Sequence, residues 1–259
     1  MEGVATNREG ATKRVTKMLT HAIAVLVMGN GMVIPISHEF WLPEEALGDQ
    51  HRTCSDIARA IIDQLNEHKI YCRVLLDGAY ANPVMFDFLN SRGLQFAMRT
   101  HKNRLVGDEL IRIDQHPDLQ LKDGEESKKA LLNYKNHSTK FWIVSHKRKK
   151  KNGEYETVYY VANYAKDASL LVKDYETRWE VEKCIRTCKQ YLGLSDCQST
   201  QLSVQRAHAH LVLLAYALLQ INVKLRLKSC PEDIINEIRY PLNSQKTKLK
   251  TSTILFGYA

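Results

Sequence analysis

Between residues 20 and 99 short apolar runs alternate with segments of helical spacing, and this alternation restricts the chain to a mixed α/β architecture. The runs Thr20–Met28 and Met32–Trp41 are β-rich and flank Gly29-Asn30-Gly31, a signal for a tight hairpin. Pro43 and the acidic Glu44-Glu45 end the second run. From Cys54 to His68, Ile57, Ala60, Ile61 and Leu65 recur at three- and four-residue intervals, which predicts a helix that Ser55 would cap. The compact run Cys72–Leu76 reads as a strand ending at Asp77-Gly78. A short helix over Pro83–Ser91 then leads through Gly93 to a strand over Gln95–Arg99. The order strand, strand, helix, strand, helix, strand implies one hairpin and one crossover to a parallel strand.

Beyond residue 102 the character changes. Segment 103–165 is denser in charge and reads as a β-rich insertion, with strands at Phe141–Ser145 and Val158–Tyr164 around the basic stretch His146–Gly153. From Ala168 to about Leu227 the pattern is helical, and Leu211–Leu219 reads as a buried helix. The expected division is therefore 1–102, first part of the core; 103–165, the insertion; 166–227, the helical remainder; and 228–259, a tail expected to be partly disordered. Residues 1–17, polar and basic, read as loop.

Lys and Arg total 37 against 29 Asp and Glu, for a net charge of +8 and a pI of about 9.1. That balance favours a polyanionic partner, most simply nucleic acid, and composition alone leaves open a soluble protein with a basic surface. The six cysteines have neither the density nor the spacing of a secreted disulfide framework, so reduced thiols in the cytoplasm are expected. Cys184 and Cys188 lack a C-x-x-C pair and read as helix-packing thiols more readily than as zinc ligands. His208 and His210 read as core or interface side chains. No membrane partner is expected, because the run Ala22–Met28 is too short to span a bilayer.

The most informative stretch runs from Asp174 to Leu194. Projected as one helix, Tyr175, Arg178, Glu182 and Lys189 fall within an arc of about 60°. Val181, Ile185, Cys188 and Leu192 form an apolar stripe beside them, and Gly193 is a plausible terminator. One acid among bases on a helix face is often a solvated, salt-bridged surface, so the spacing alone leaves that reading open.

The spacing Tyr175-x2-Arg178-x3-Glu182-x6-Lys189 resembles the signature of bacterial insertion-sequence DDE transposases of the insertion-sequence-4-like group. Trp179, Leu192-Gly193-Leu194 and the later helix with His210 match its flanks. Asp77-Gly78-Ala79-Tyr80 resembles the segment around that family's second catalytic Asp, and the strand with Arg99, followed by Asn103, resembles what comes next there. The resemblance covers roughly residues 15–225. It implies a ribonuclease-H-like catalytic core with a β-rich insertion, performing metal-dependent DNA strand cleavage and transfer at insertion-sequence ends. Asp77 and Glu182 would be catalytic and would hold Mg²⁺, with Mn²⁺ a possible substitute, since hard divalent cations take carboxylate oxygens. Arg178 and Lys189 would hold DNA phosphates, and Tyr175 would pack and hydrogen-bond beside the acid. The implied partners are transposon-end and target DNA and a second subunit, as a homodimer or with full-length transposase; the implied location is the cytoplasm, at the nucleoid. Independently of the resemblance, the basic stretch Lys147–Lys151, including Lys147, Arg148 and Lys149, reads either as a hairpin tip on DNA backbone or as a solvated turn.

The sequence departs from the family at its start. The family uses three carboxylates, the first on a central strand ahead of the hairpin, yet residues 1–48 contain no Asp. The first, central strand is therefore expected to be missing, and the chain to be weakly active or inactive alone. The alternatives are a non-catalytic fragment that binds DNA or transposase as an inhibitor, or a remnant that does not fold stably.

Overall fold

The computed structural model describes residues 5–8, 15–18, 20–42, 51–70, 72–226 and 230–239. The chain divides into two compact units, one of Met1–Ala24 with Ser37–Glu182 and one of Val25–Ile36 with Lys183–Ala259.

The first unit is built on a mixed five-stranded sheet in the order β5 (Val74–Leu76), β6 (Phe96–Thr100), β11 (Tyr155–Ala162), β10 (Lys140–Lys149), β9 (Ser127–Asn133). β5 and β6 are parallel, with Val74 opposite Phe96 and Leu76 opposite Met98; every other pairing is antiparallel. The crossover between them carries α2 (Pro83–Ser91), which starts cleanly because Asn82 accepts from the Met85 N–H and Pro83 needs no donor there. The strands of segment 103–165 thus extend the same sheet through β11 on β6. Short ladders β7 (Leu105–Val106) and β8 (Ile111–Arg112) lie between.

Both sheet faces are covered, which is why these strands read as nearly continuous apolar runs. Phe96, Met98, Phe141, Ile143, Tyr159 and Val161 point to one face, under α2 and Ile62 of α1 (Cys54–Glu67). Ala97, Val144, Val158, Tyr160 and Ala162 alternate to the other, under Leu171, Val172 and Tyr175 of α3 (Ala168–Glu176). The cap of α1 is Thr53, not Ser55: Thr53 and Asp56 form a reciprocal capping box. β3 (Thr20–Val27) and β4 (Val33–Trp41) form the expected hairpin as a two-stranded sheet of their own.

Three other readings change. Within 1–17, β1 (Ala5–Arg8) pairs antiparallel with β2 (Val15–Met18) rather than lying in loop. The stretch around Arg178 is not one helix but α3 followed by α4 (Trp179–Tyr191). In the tail, Pro231–Arg239 is helix α6, and Pro231 suits its first turn, where no N–H is needed; the expectation for 240–259 lies outside the described residues.

The second unit holds α5 (Leu202–Arg226) and α6. Cys184 and Cys188 are fully buried, with Tyr216 beside Cys184, and Gln220 donates to the Tyr216 hydroxyl at 2.8 Å. α4 ends before Gly193 at φ +74, where the Leu194 N–H returns to the Cys188 carbonyl at 3.0 Å. His208 reaches the Gly193 carbonyl at 2.8 Å. The run Leu211–Leu219 is only half buried: Leu211, Leu214 and Leu218 are exposed.

Candidate active site

Asp77 sits directly after β5, where the chain turns into a short 3-10 segment, Gly78–Tyr80, whose first N–H it caps. Gly78 is buried, and a Cβ there would lie 3.1 Å from the Arg99 carbonyl oxygen, so the absence of a side chain lets β5's end press against β6. The Asp77 carboxylate is left 60% exposed.

Glu182 comes from the first turn of α4 and is presented by the joint between α3 and α4. There the backbone tightens: Thr177 N–H bonds to Asp174 O, Arg178 N–H to Tyr175 O at 2.9 Å, and Val181 N–H to Arg178 O, all three-residue steps. Asp174 anchors this joint. Its carboxylate accepts from Arg73 at 2.6 Å, Lys166 at 2.8 Å and Tyr164 at 3.2 Å. The last turn of α3 is thereby fixed to the strand side of the unit.

Arg178 joins the two acids. Its guanidinium lies 2.6 Å from Glu182 Oε1 and 3.7 Å from Asp77 Oδ2, with its side chain 19% exposed. Burial is the largest single influence and works against the charge, but the Glu182 hydrogen bond together with the charges of Tyr175, Asp77 and Glu182 outweighs it, and the Arg178 pKa is raised. Tyr175 stacks obliquely on Tyr160, ring centroids 4.9 Å apart, and lies under Arg178. Burial raises the Tyr175 phenol pKa. Its buried hydroxyl lies near the Arg99 backbone and the Arg178 side chain without a well-formed hydrogen bond.

Asp77, Tyr175, Arg178 and Glu182 are therefore brought together within the first unit. Lys189 is carried exposed by α4, seven residues beyond Glu182, in the stretch belonging to the second unit. Lys147, Arg148 and Lys149 are not a hairpin tip: β10 runs through them, and the turn is 150–154. Arg148 is paired with Glu156 directly opposite it, and the Lys147 ammonium lies 5.0 Å from the Tyr155 ring centre.

A cleft of about 690 Å³ opens at Asp77 and is lined by Arg99, His101, Lys102 and Lys150. Its two other acids are neutralised: Asp114 by Arg112 at 2.7 Å, and Glu156 by Arg148, whose hydrogen bond lowers the Glu156 pKa. Among the described residues no acid lies within ion-pair distance of Arg99 or Lys102, although Arg99 acts at longer range on Glu156, and Lys150 pairs with Glu154 at 3.5 Å; the cleft beside Asp77 is cationic. Sequence reasoning did not place Arg99 in a site. The available signal was a charged residue inside an apolar strand, and it is the one exposed position of β6.

Two carboxylates converging on one cation are hard oxygen donors of the kind a Mg²⁺ ion shares with substrate phosphates and water. Among the described residues no group of three His, Cys, Asp or Glu side chains is placed to hold a metal ion.

A strand-borne Asp and a helix-borne Glu beside a cationic cleft, on a mixed α/β sheet, are features of a nucleic-acid-processing core. The family model described as the transposase DDE domain matches residues 38–218, and the chain belongs to that family. Its general role is transposition, the cutting and joining of DNA. No curated protein matches the chain.

Proposed function

We propose that this chain is an insertion-sequence-type transposase core in which Asp77 and Glu182 hold a divalent cation, Mg²⁺ or Mn²⁺, for DNA strand cleavage and transfer at element ends. The observation carrying this reading is the convergence of Asp77 and Glu182 on Arg178 at the mouth of the cationic cleft. When bound, the cation would polarise the phosphodiester and lower the pKa of the attacking hydroxyl or water. Arg178 would grip a phosphate oxygen through its planar fork. Arg99, Lys102 and Lys150 would track the backbone into the site, and Lys189 would add a point charge further along α4. Tyr175 would hold Arg178 in place by packing beneath it. The finer family reading also stands here: an insertion-sequence-4-like member with a ribonuclease-H-like core, acting in the cytoplasm at the nucleoid. β5 ends the described sheet on its outer side, which supports the idea of a further strand carrying a third acid. A site of two acids alone would hold a divalent cation weakly and cut slowly.

A second reading, a DNA-binding chain that does not cut, is favoured by Arg178 itself, because its guanidinium already neutralises both carboxylates. The test is nicking and strand transfer on DNA carrying the element's ends, with Mg²⁺ and then Mn²⁺. Slow cleavage that falls at least about 100-fold in both Asp77→Ala and Glu182→Ala, with DNA binding retained, is expected. Binding without cleavage by any form supports the second reading, and cleavage indifferent to both substitutions defeats the metal assignment.

A further inference from the structure

Arg178 is a weak link between the two acid-bearing elements. Its contact with Asp77 is 3.7 Å long, that carboxylate is 60% exposed, and a phosphate gripped by Arg178 would break it. Were it the sole link, β5 and the joint of α3 and α4 would be free to part as the site filled. A second link lies behind it. Arg73 stands immediately before β5 and Asp77 immediately after, so the strand has a cation at one end and a carboxylate at the other. The helix side carries the complement, Asp174 and then Arg178 four residues on. Arg73 reaches Asp174 at 2.6 Å, as Arg178 reaches towards Asp77. The two elements are thus tied at two points, each an Arg–Asp pair, with one Arg supplied by each element. Residues 73 and 77 are about 13 Å apart along a strand, and 174 and 178 about 6–8 Å apart along a tightened helix. The long arginine side chains take up the difference.

The two ties differ in kind. The Asp174 carboxylate accepts from Arg73, from Lys166 at 2.8 Å and from the Tyr164 hydroxyl at 3.2 Å. Arg73 is itself held from other sides: its guanidinium lies 4.3 Å from the centre of the Tyr164 ring, and Gln95 accepts from it at 3.4 Å. Burial raises the Tyr164 phenol pKa, so that hydroxyl stays a donor. The Asp174 side chain is 21% exposed, and its bonds are screened less than the open contact at Asp77. None of Arg73, Tyr164, Lys166 and Asp174 lines the cleft, so a ligand there does not compete for this cluster. One tie is open to exchange and the other is not.

We propose that Asp174 is a positioning residue: through Arg73 it keeps the joint that presents Arg178 and Glu182 fixed to the strand that presents Asp77 while Arg178 turns to a ligand. The proposal rests on the reading of Asp77 and Glu182 as the cutting pair, but the tie itself can be read without cleavage. Hydrogen exchange of the full chain, with neither metal nor DNA added, is the first arm. Asp174→Asn should speed exchange of amides 174–182 about 10-fold or more, while peptides of β10 and α2 keep their protection. Arg73→Gln leaves Asp174 its two other donors and should act at the same place; the double variant should be no worse than the stronger single one. The second arm is nicking of element-end DNA at saturating DNA and Mg²⁺. There Asp174→Asn should lower the rate about 10–100-fold with the DNA Kd held within about 3-fold, as a displaced acid does and a lost DNA contact does not. Asp63→Asn, which breaks the ion pair of Asp63 with Arg92 between α1 and α2, should change neither the 174–182 exchange nor the rate. Unchanged exchange over 174–182, acceleration spread evenly through the unit in both single variants, additive effects of the two substitutions, an undiminished cleavage rate, or a fall matched by Asp63→Asn would each overturn the proposal. A wild-type chain that does not cut defeats the DNA-cutting reading alone, and the exchange arm then decides the tie.

Discussion

The two faces of the five-stranded sheet are built from alternate residues of the same strands, yet they differ in kind. The face under α2 is aromatic and saturated. Phe86 is fully buried among Phe96, Tyr134 and Phe141, with ring centroids 5.0 to 5.5 Å away, and the Tyr134 hydroxyl donates to Thr100 at 2.9 Å. The face under α3 has a smaller core, and its edge holds polar groups short of partners: the Tyr175 hydroxyl and Arg178 Nε are both buried without a well-formed hydrogen bond. The lesson is a division of labour within one sheet. One face stabilises the unit, and the other leaves polar groups unsatisfied where the candidate chemistry sits.

Four substitutions sharpen or break that contrast. The largest effect is expected from Phe86→Ala, which empties the centre of the saturated face and should cost about 3–5 kcal/mol in urea unfolding. A cost below about 1 kcal/mol would mean that face is not the main stabiliser. Next comes one change made on both faces. Tyr134→Phe strands the Thr100 hydroxyl and should cost about 1 kcal/mol, whereas Tyr175→Phe removes a hydroxyl with no good partner and should be neutral or stabilising by up to about 1 kcal/mol. Equal losses from the two would erase the distinction. The smallest effect is expected from Asp56→Ala, which breaks the capping box of α1 over the saturated face. Hydrogen bonds from Thr53, then from Arg59, lower the Asp56 pKa to about 2 from 3.8. The stabilisation is thus present above about pH 4 and lost as pH falls through about 2. Because Asp56 is 36% exposed, screening limits the cost to about 0.5–1 kcal/mol, visible as a wild-type advantage at pH 6 that is gone at the acid end.

Much of the region from residue 20 to 99 was legible in the sequence alone. The Gly29-Asn30-Gly31 turn, the spacing of Ile57 and Ile61, and the run ending at Asp77 each depend on neighbours within a few residues, and their elements appear where expected. What could not be read depends on distant partners. The joint at Thr177 and Arg178 is held through Asp174, whose partner Arg73 is 101 residues away; nothing in Tyr-x2-Arg-x3-Glu distinguishes a continuous helix from a tightened turn. The cap of α1 moved by two residues because Thr53-x-x-Asp56 satisfies two groups where Ser55 satisfies neither. The apolar run of α5 suggested burial, but composition does not tell which face is covered. Arg99 was visible as a charge in an apolar strand, while its position on a cleft arises only when β5 and β6 lie side by side.

The bridging position of Arg178 has a thermodynamic corollary. One guanidinium cannot serve two carboxylates and a phosphate oxygen equally well. A divalent cation taken up by Asp77 and Glu182 would release it, and a phosphate that engaged it would free the carboxylates for the cation. Each ligand then lowers the cost of admitting the other, and by reciprocity the two affinities rise by the same factor. If the acids hold the cation as proposed, such a site would rest closed when both are absent and open to both together, so that a free ion alone would meet acids already engaged by Arg178.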